Sequence, residues 1–217
     1  MSKPFPVDLL LFDLDGTLAD TKADLATAVN LTLRDFGLPQ HPPERIYTFV
    51  GDGVRVLLAR AFESRGAKAL EEALAVFRGH YLDHLLDETR LYPGVEKVLE
   101  HFAGKKKGVV TNKPIEYTLK LMDGLGARDR FDVILGSDGT AKLKPHPEMI
   151  DRALGTVSVK AERAVMIGDN VNDIQAARAS GVRSIAVGYG LGDPAALRAA
   201  EPDFFCERIE DVMDILS

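Results

Sequence analysis

The chain reads Val-Asp-Leu-Leu-Leu-Phe at residues 7–12 and continues directly with Asp-Leu-Asp-Gly-Thr-Leu at residues 13–18. The first half is a short and nearly continuous apolar run, which is typical of a strand buried on both faces of a parallel sheet. The second half places two carboxylates, a glycine and a hydroxyl where that strand ends. In open α/β sheets this end of the strands carries the ligand, so we expect the functional site here.

Further strand candidates of the same style follow along the chain. They are residues 107–111, 131–135, 164–168 and 183–187, with 203–205 as a weaker edge candidate. Helical patterns separate them, and Pro114, Pro147 and Pro194 stand where helices can begin, with Asp193 as the expected N-cap of the last. This alternation of strands and helices predicts an α/β fold with a parallel sheet.

Residues from about 20 to 87 interrupt the alternation, because apolar residues recur there at helical spacing and no convincing strand lies among them. The recurring residues are Leu25, Val29, Leu33 and Phe36, then Val54, Leu57, Leu58, Ala61 and Phe62, then Leu70, Leu74, Phe77, Tyr81 and Leu85. We expect a helical insertion at residues 19–87 in a discontinuous core formed by residues 1–18 and 88–217, with the sheet resuming near residues 91–94. The insertion would cover the carboxyl end of the first strand.

The composition excludes several classes of protein. The 217 residues are 46% hydrophobic and 28% charged, with a net charge of −6. These values are typical of a folded domain and disfavour nucleic acid or an anionic membrane surface as a partner. The single Cys206 cannot form an internal disulfide, and no leader or long apolar run opens the chain, so we expect a cytoplasmic protein.

The paired acids at residues 13 and 15 are the strongest local signal. If the backbone stays extended through residue 14, Asp13 and Asp15 point to the same side of the strand tip. Carboxylates so close repel each other unless a cation or a proton lies between them. Gly16 permits a backbone conformation closed to other residues, and Thr17 adds a hydroxyl. An acidic turn explains the pair in isolation equally well.

Three later segments change that balance. Thr111 ends the second core strand, so its hydroxyl is expected at the same sheet edge as Asp13. Lys144 precedes Pro145 and Pro147, which stiffen the segment just before a predicted helix, although a solvated surface lysine is the alternative. Asp169 directly follows a buried strand, and Asp173 lies at the start of the next helix, where capping that helix is its alternative role.

In this order the segments resemble the four motifs of the haloacid dehalogenase superfamily, which are Asp-x-Asp-x-Thr, a Thr or Ser, a Lys and an acidic pair. The resemblance covers essentially the whole chain, and the helical insertion lies where that family carries its cap. It implies a Rossmann-like parallel-sheet core with an inserted α-helical cap, Mg²⁺ as cofactor, a small phosphorylated metabolite as partner, and a monomer or homodimer.

The resemblance also implies roles for the matching residues. Asp13 would be the nucleophile that forms an aspartyl-phosphate, and Asp15 would be the acid and base. Thr111 would hydrogen-bond the phosphoryl oxygens while Lys144 neutralises their charge. The Asp13 carboxylate, the Asp15 carbonyl and Asp169 would hold Mg²⁺, which prefers oxygen ligands.

Within the superfamily, residue differences separate the reactions. Asp15 argues against the dehalogenase and phosphonate-cleaving branches, and Thr17 argues against the sugar phosphomutases. Asp173 would orient the metal's surroundings or the motif lysine rather than bind directly, and Gly16, Thr17 and Asn112 are expected to contact substrate. A phosphomonoester hydrolase is the favoured interpretation.

The loop at residues 49–57 resembles the cap loop of bacterial phosphoglycolate phosphatases. Gly51, Asp52 and Gly53 would approach a small ligand, although a helix-capping turn is an alternative that is compatible with this. Arg55 would bind the carboxylate of 2-phosphoglycolate through two parallel hydrogen bonds, with an exposed arginine as the alternative. Pyrophosphate, nucleoside monophosphates and sugar phosphates stay open as substrates. A phosphomutase and a phospho-receiver signalling module are less favoured, the receiver because it lacks a helical cap and an acid at Asp15.

Overall fold

A parallel sheet of six strands lies at the centre of the computed structural model, which describes residues 4–63, 66–139 and 141–217. The strands of the described chain are β1 (Leu9–Phe12), β2 (Ala19–Asp20), β3 (Arg90–Leu91), β4 (Lys106–Val110), β5 (Val133–Leu135), β6 (Ala164–Gly168), β7 (Arg183–Val187) and β8 (Phe204–Cys206). The central sheet has the order β5-β4-β1-β6-β7-β8, and every neighbouring pair is parallel. The predicted α/β fold with a parallel sheet is confirmed. Residues 1–3, 64–65 and 140, which the expected core and insertion include, lie outside the described residues.

Between β2 and β3 the described chain forms four helices, which we call the helical block. They are α1 (Lys22–Asp35), α2 (Pro43–Tyr47), α3 (Val54–Ala61) and α4 (Ala67–His84). Helix α1 packs against α2 and α4, and α3 packs against α4. The three apolar patterns noted in the sequence therefore are helices, and the short α2, which begins at Pro43, is an addition that the spacing did not indicate.

Six further helices follow in the part of the chain that the structure describes. They are α5 (Val95–His101), α6 (Ile115–Gly124), α7 (Glu148–Val157), α8 (Val171–Ala179), α9 (Pro194–Ala199) and α10 (Val212–Ile215). Pro114 and Pro147 are the N-cap residues of α6 and α7, and the Asp193 side chain caps α9 by accepting a hydrogen bond from the Ala195 amide at 3.0 Å. No helix among the described residues is long and apolar enough to cross a membrane.

We expected the chain to rejoin the central sheet near residues 91–94, but it does not. Instead β3 pairs antiparallel with β2 in a separate two-stranded ribbon, and the central sheet resumes only at β4. Pro93 follows β3 closely, and proline cannot donate to a sheet ladder. The Asp24 carboxylate accepts hydrogen bonds from the Glu88 and Thr89 amides at 3.0 and 2.9 Å, so the entry and exit of the helical block are tied together.

Strand β1 lies at the middle of the sheet, and its four residues are buried. Its neighbours are β4 and β6, with Phe12 opposite both Val109 and Ile167. Because the three strands are parallel and in register, the residues that follow them emerge at one edge of the sheet. Asp13 and Asp169 follow their strands directly.

Candidate active site

Three buried carboxylates lie at the carboxyl edge of the central sheet. Oxygens of Asp13, Asp169 and Asp173 all lie within 4.8 Å of one another. Burial raises the pKa of Asp169 to about 7, and the neighbouring charges of Asp13 and Asp173 add to this rise. Carboxylates packed so closely repel each other, so a cation between them would favour their ionised forms. Their oxygen atoms are the ligands that a hard divalent cation prefers.

Gly16 and Thr17 position Asp169. The Thr17 hydroxyl donates a hydrogen bond to Asp169 Oδ1 at 2.8 Å, and the Leu191 amide donates to Oδ2 at 2.8 Å. Gly16 has a φ of +82°, and a Cβ at this position would collide with the Asp169 carboxylate. The structure places both residues against Asp169, and their expected contact with substrate stays a prediction.

Lys144 lies beneath Asp13, with a side chain that is only 1% exposed. Its Nζ is 2.6 Å from Asp173 Oδ1 and 3.2 Å from Asp13 Oδ1, and it donates to the Val110 carbonyl at 2.7 Å. Burial opposes the charge, but Asp13 and Asp173 outweigh it and raise the pKa of Lys144 above its ordinary value. Asp173 also accepts a hydrogen bond from the Asn170 amide at 3.0 Å and so completes the capping box at the start of α8, whose N-cap is Asn170. It therefore has both roles, holding Lys144 and helping to cap the helix.

Asn112 connects three segments of the site. Its Oδ1 accepts a hydrogen bond from the Lys144 amide at 2.8 Å, and its Nδ2 donates to the carbonyls of Lys144 and Gly51, both at 3.0 Å. This residue was expected to contact substrate. In the structure its amide group holds the lysine segment and the loop of the helical block, and the residue also lines the cleft between them, so its contact with substrate stays a prediction.

A cleft of about 40 Å³ lies between the sheet edge and the helical block. The core contributes Asp13, Asp15, Thr111 and Lys113 to its lining. The helical block contributes mainly apolar side chains, which are Leu25, Val50, Val54, Leu57 and Phe77. A volume of this size has room for only a few water molecules, so the cleft suits a small ligand.

The Asp15 carboxylate is held by a lysine that was not predicted from the sequence. Lys113 Nζ lies 2.8 Å from Asp15 Oδ1 and 3.0 Å from Oδ2, and the Thr21 hydroxyl donates to Oδ1 at 2.6 Å. Lys113 also donates to the Tyr81 hydroxyl of α4 at 2.7 Å. Burial raises the pKa of Tyr81 well above its ordinary value, so this hydroxyl stays neutral.

One signal in the sequence points to Lys113. It follows Thr111 by two residues, as Asp15 follows Asp13 by two residues, and the two pairs end adjacent strands. Residues that follow adjacent parallel strands share one edge of the sheet, so Lys113 and Asp15 are expected at the same edge. Tyr81 carries no comparable signal, because it is one apolar position among many on α4.

The loop before α3 contributes two glycines to the cleft. Gly51 and Gly53 both line it and have φ values of +118° and +88°. A Cβ at Gly51 would collide with the Asn170 side chain. Glycine at this position therefore lets the loop approach the core closely.

Two other residues of this loop region do not reach the cleft. The Asp52 carboxylate bridges the helical block and the core, since it accepts hydrogen bonds from Arg60 at 2.6 Å and from the Asn172 side chain at 2.7 Å. The Arg55 side chain is 58% exposed and forms an ion pair with Glu71 at 2.7 Å. The structure thus brings the core motif residues together but leaves Asp52 and Arg55 outside the lining of the cleft.

Known proteins are similar to this chain in sequence and in fold. A family model described as haloacid dehalogenase-like hydrolase matches residues 10–187. A phosphoglycolate phosphatase of Colwellia psychrerythraea is 40% identical over 192 residues, covering 84% of this chain and 85% of that protein. One of Chromobacterium violaceum is 36% identical over 217 residues, covering 97% and 96%. The crystal structure of a predicted phosphoglycolate phosphatase from Haemophilus somnus 129pt matches with a TM-score of 0.89 at 29% identity, covering 96% of this chain and 97% of that one.

Proposed function

We propose that this chain, which belongs to the haloacid dehalogenase-like hydrolase family, is a phosphatase that hydrolyses 2-phosphoglycolate to glycolate and phosphate. The observation that carries the proposal is that Asp13, Asp15 and Thr111 line one small cleft, while Lys144 Nζ lies 3.2 Å from the Asp13 carboxylate. Relatives named phosphoglycolate phosphatase, at 40% and 36% identity over most of the chain, support the choice of substrate.

The proposed reaction has two displacements. An oxygen of the Asp13 carboxylate attacks phosphorus, the bond from phosphorus to the ester oxygen breaks, and Asp15 gives its proton to the departing glycolate. This leaves an aspartyl-phosphate on Asp13 and an ionised Asp15. Asp15 then takes a proton from water as the water oxygen attacks phosphorus, which releases phosphate and restores the Asp13 carboxylate.

Charge on the phosphoryl oxygens is met by groups that are in place before substrate arrives. Lys144 is held by Asp173 and by the Val110 carbonyl, so its ammonium needs no reorganisation during the reaction. The Leu14 amide donates to Asp13 Oδ1 at 2.7 Å and orients the nucleophile. We assign the Thr111 hydroxyl to the phosphoryl oxygens because it lines the same cleft as Asp13.

The donor set fits Mg²⁺. We propose the carboxylates of Asp13 and Asp169 and the carbonyl of Asp15 as its ligands, because these hard oxygen donors suit the ion and the buried carboxylates require a cation to be ionised together. Bound there, Mg²⁺ would supply positive charge for the phosphoryl oxygens. Asp173 is paired with Lys144 at 2.6 Å, which supports an indirect role for it.

The helical block would act as a cap. We propose that residues 19–87 form a cap domain over a core of residues 1–18 and 88–217 and exclude water from the cleft. The small size of the cleft is in keeping with a small substrate. We propose a monomer or homodimer in the cytoplasm, in keeping with a metabolite substrate and a single buried cysteine.

A substrate panel tests the proposal. Values of kcat/KM should be measured for 2-phosphoglycolate, pyrophosphate, a nucleoside monophosphate, a sugar phosphate and p-nitrophenyl phosphate, with Mg²⁺ and with excess chelator. We expect the highest value for 2-phosphoglycolate and no turnover in chelator. A higher value for another compound would overturn the substrate, and the absence of repeated phosphate release from every compound would overturn the reaction and favour a phospho-receiver.

A further inference from the structure

Lys113 is the only cation among the described residues that line the cleft. Its side chain is 3% exposed, and its ammonium contacts the Asp15 carboxylate and the Tyr81 hydroxyl. The other buried cation of the site, Lys144, is not part of this lining and is engaged by Asp13 and Asp173. Lys113 is therefore the lysine that can meet a ligand in the cleft.

Lys113 lies on the side of the cleft where the leaving group of the substrate is expected. To act as an acid, Asp15 must reach the oxygen that bridges phosphorus and the rest of the substrate. In 2-phosphoglycolate a single methylene carbon separates that oxygen from the carboxylate. A cation that is hydrogen-bonded to Asp15 consequently lies within reach of the substrate carboxylate.

The lining of the cleft makes an unpaired substrate carboxylate costly. Its apolar members Leu25, Leu57 and Phe77 offer no hydrogen-bond donor to an anion, and Lys113 is the cation that can pair with it.

We propose that Lys113 binds the carboxylate of the substrate. Its ammonium is the one positive charge that the described residues bring to the lining of the cleft, and it lies 2.8 Å from the Asp15 carboxylate. The inference rests on the proposed function and names the group that gives it specificity for a carboxylate.

Two substrates that differ only at the tail test this role. In 2-hydroxyethyl phosphate a neutral alcohol replaces the carboxylate of 2-phosphoglycolate. We expect Lys113→Met to lower the ratio of kcat/KM for 2-phosphoglycolate to that for 2-hydroxyethyl phosphate by about 10- to 100-fold, because a charge-assisted hydrogen bond is lost for the first substrate alone. Lys113→Arg should keep most of the ratio. Lys120→Met, a matched change at an exposed lysine of α6 that donates to the Leu82 carbonyl, should leave it unchanged.

The outcomes separate the inference from the proposed function. A wild-type enzyme without preference for 2-phosphoglycolate would overturn the substrate proposal before any variant is made. If the wild type has the preference and Lys113→Met loses activity equally on both substrates, Lys113 only positions Asp15 and the inference is wrong. If Lys113→Met does not fold, as judged by circular dichroism and melting temperature, Lys113→Gln replaces it, and unchanged preference in Lys113→Gln would likewise overturn the inference.

Discussion

The carboxyl edge of the central sheet and the inner face of the helical block meet at one cleft, but they differ in the polarity of the side chains that they contribute. At the sheet edge the ionised groups are buried and paired with one another, as with Lys144 between Asp13 and Asp173. The face of the helical block is mainly apolar, and its Arg55 points away to Glu71 with more than half of its side chain exposed. The charged groups are thus concentrated at the sheet edge, while the helical block contributes mainly apolar surface to the cleft.

The difference has a physical cause. A parallel ladder holds β1, β4 and β6 rigidly, so groups at the ends of these strands keep their positions when they are charged. The helical block is joined to the core through the β2–β3 ribbon and a limited set of polar contacts, such as Asp52 with Asn172. Lys113 contacts both regions, since it pairs with Asp15 at the sheet edge and donates to the Tyr81 hydroxyl of the helical block.

The largest expected effect comes from the centre of the sheet edge. Asp13→Asn removes the nucleophile without a change in size, and we expect kcat to fall by about 10⁴-fold or more. The melting temperature should stay the same or rise, because one of several mutually repelling carboxylates is lost. Phosphate release and thermal unfolding measure the two effects. Wild-type turnover in this variant would contradict the mechanism.

Asp15→Asn should have the next largest effect. Loss of the acid and base is expected to slow hydrolysis of 2-phosphoglycolate by about 10²- to 10⁴-fold. The loss should be smaller for p-nitrophenyl phosphate, whose leaving group needs little protonation, if the first displacement limits turnover. Comparison of kcat for both substrates is the measurement. Equal losses would point instead to disturbed metal binding or a limiting second step.

Asp169→Asn tests the charge balance of the sheet edge. The pKa of Asp169 is raised from its ordinary value of 3.8 to about 7 in the fold, so the folded state holds this proton more tightly than the unfolded state. Metal-free protein should therefore lose stability as the pH rises from about 4 to 7, and the variant should lose less. At pH 8 Mg²⁺ should raise the melting temperature of the wild type more than that of the variant. An equal Mg²⁺ response would remove Asp169 from the metal site.

The smallest effect is expected at the outer surface of the helical block. Arg55→Ala breaks an exposed ion pair with Glu71, and such pairs contribute little. We expect kcat/KM for 2-phosphoglycolate to change by less than about twofold. The measurement is kcat/KM for 2-phosphoglycolate in Arg55→Ala and in Lys113→Met under the same conditions. A loss confined to 2-phosphoglycolate would show that Arg55 reaches the carboxylate and would erase the contrast between the two regions.

The sequence by itself determined the central strands, the longer helices and the motif positions. Short apolar runs predict the buried strands, and proline and aspartate mark helix starts such as that of α9. Asp13 and Asp169 could be placed at one sheet edge because residues that end parallel strands share that edge. These signals are local, or they depend only on the topology of the sheet.

The tertiary structure alone decided which polar groups meet. Lys113 and Asp15 are 98 residues apart, and Asp52 and Asn172 are 120 apart. The first contact depends on how the strand ends meet at the sheet edge, and the second depends on how the helical block packs on the core. Spacing along α3 likewise does not tell whether Arg55 faces the cleft or Glu71. A helix periodicity defines an apolar face, but the direction of each charged side chain at its border is decided by the neighbours that packing supplies.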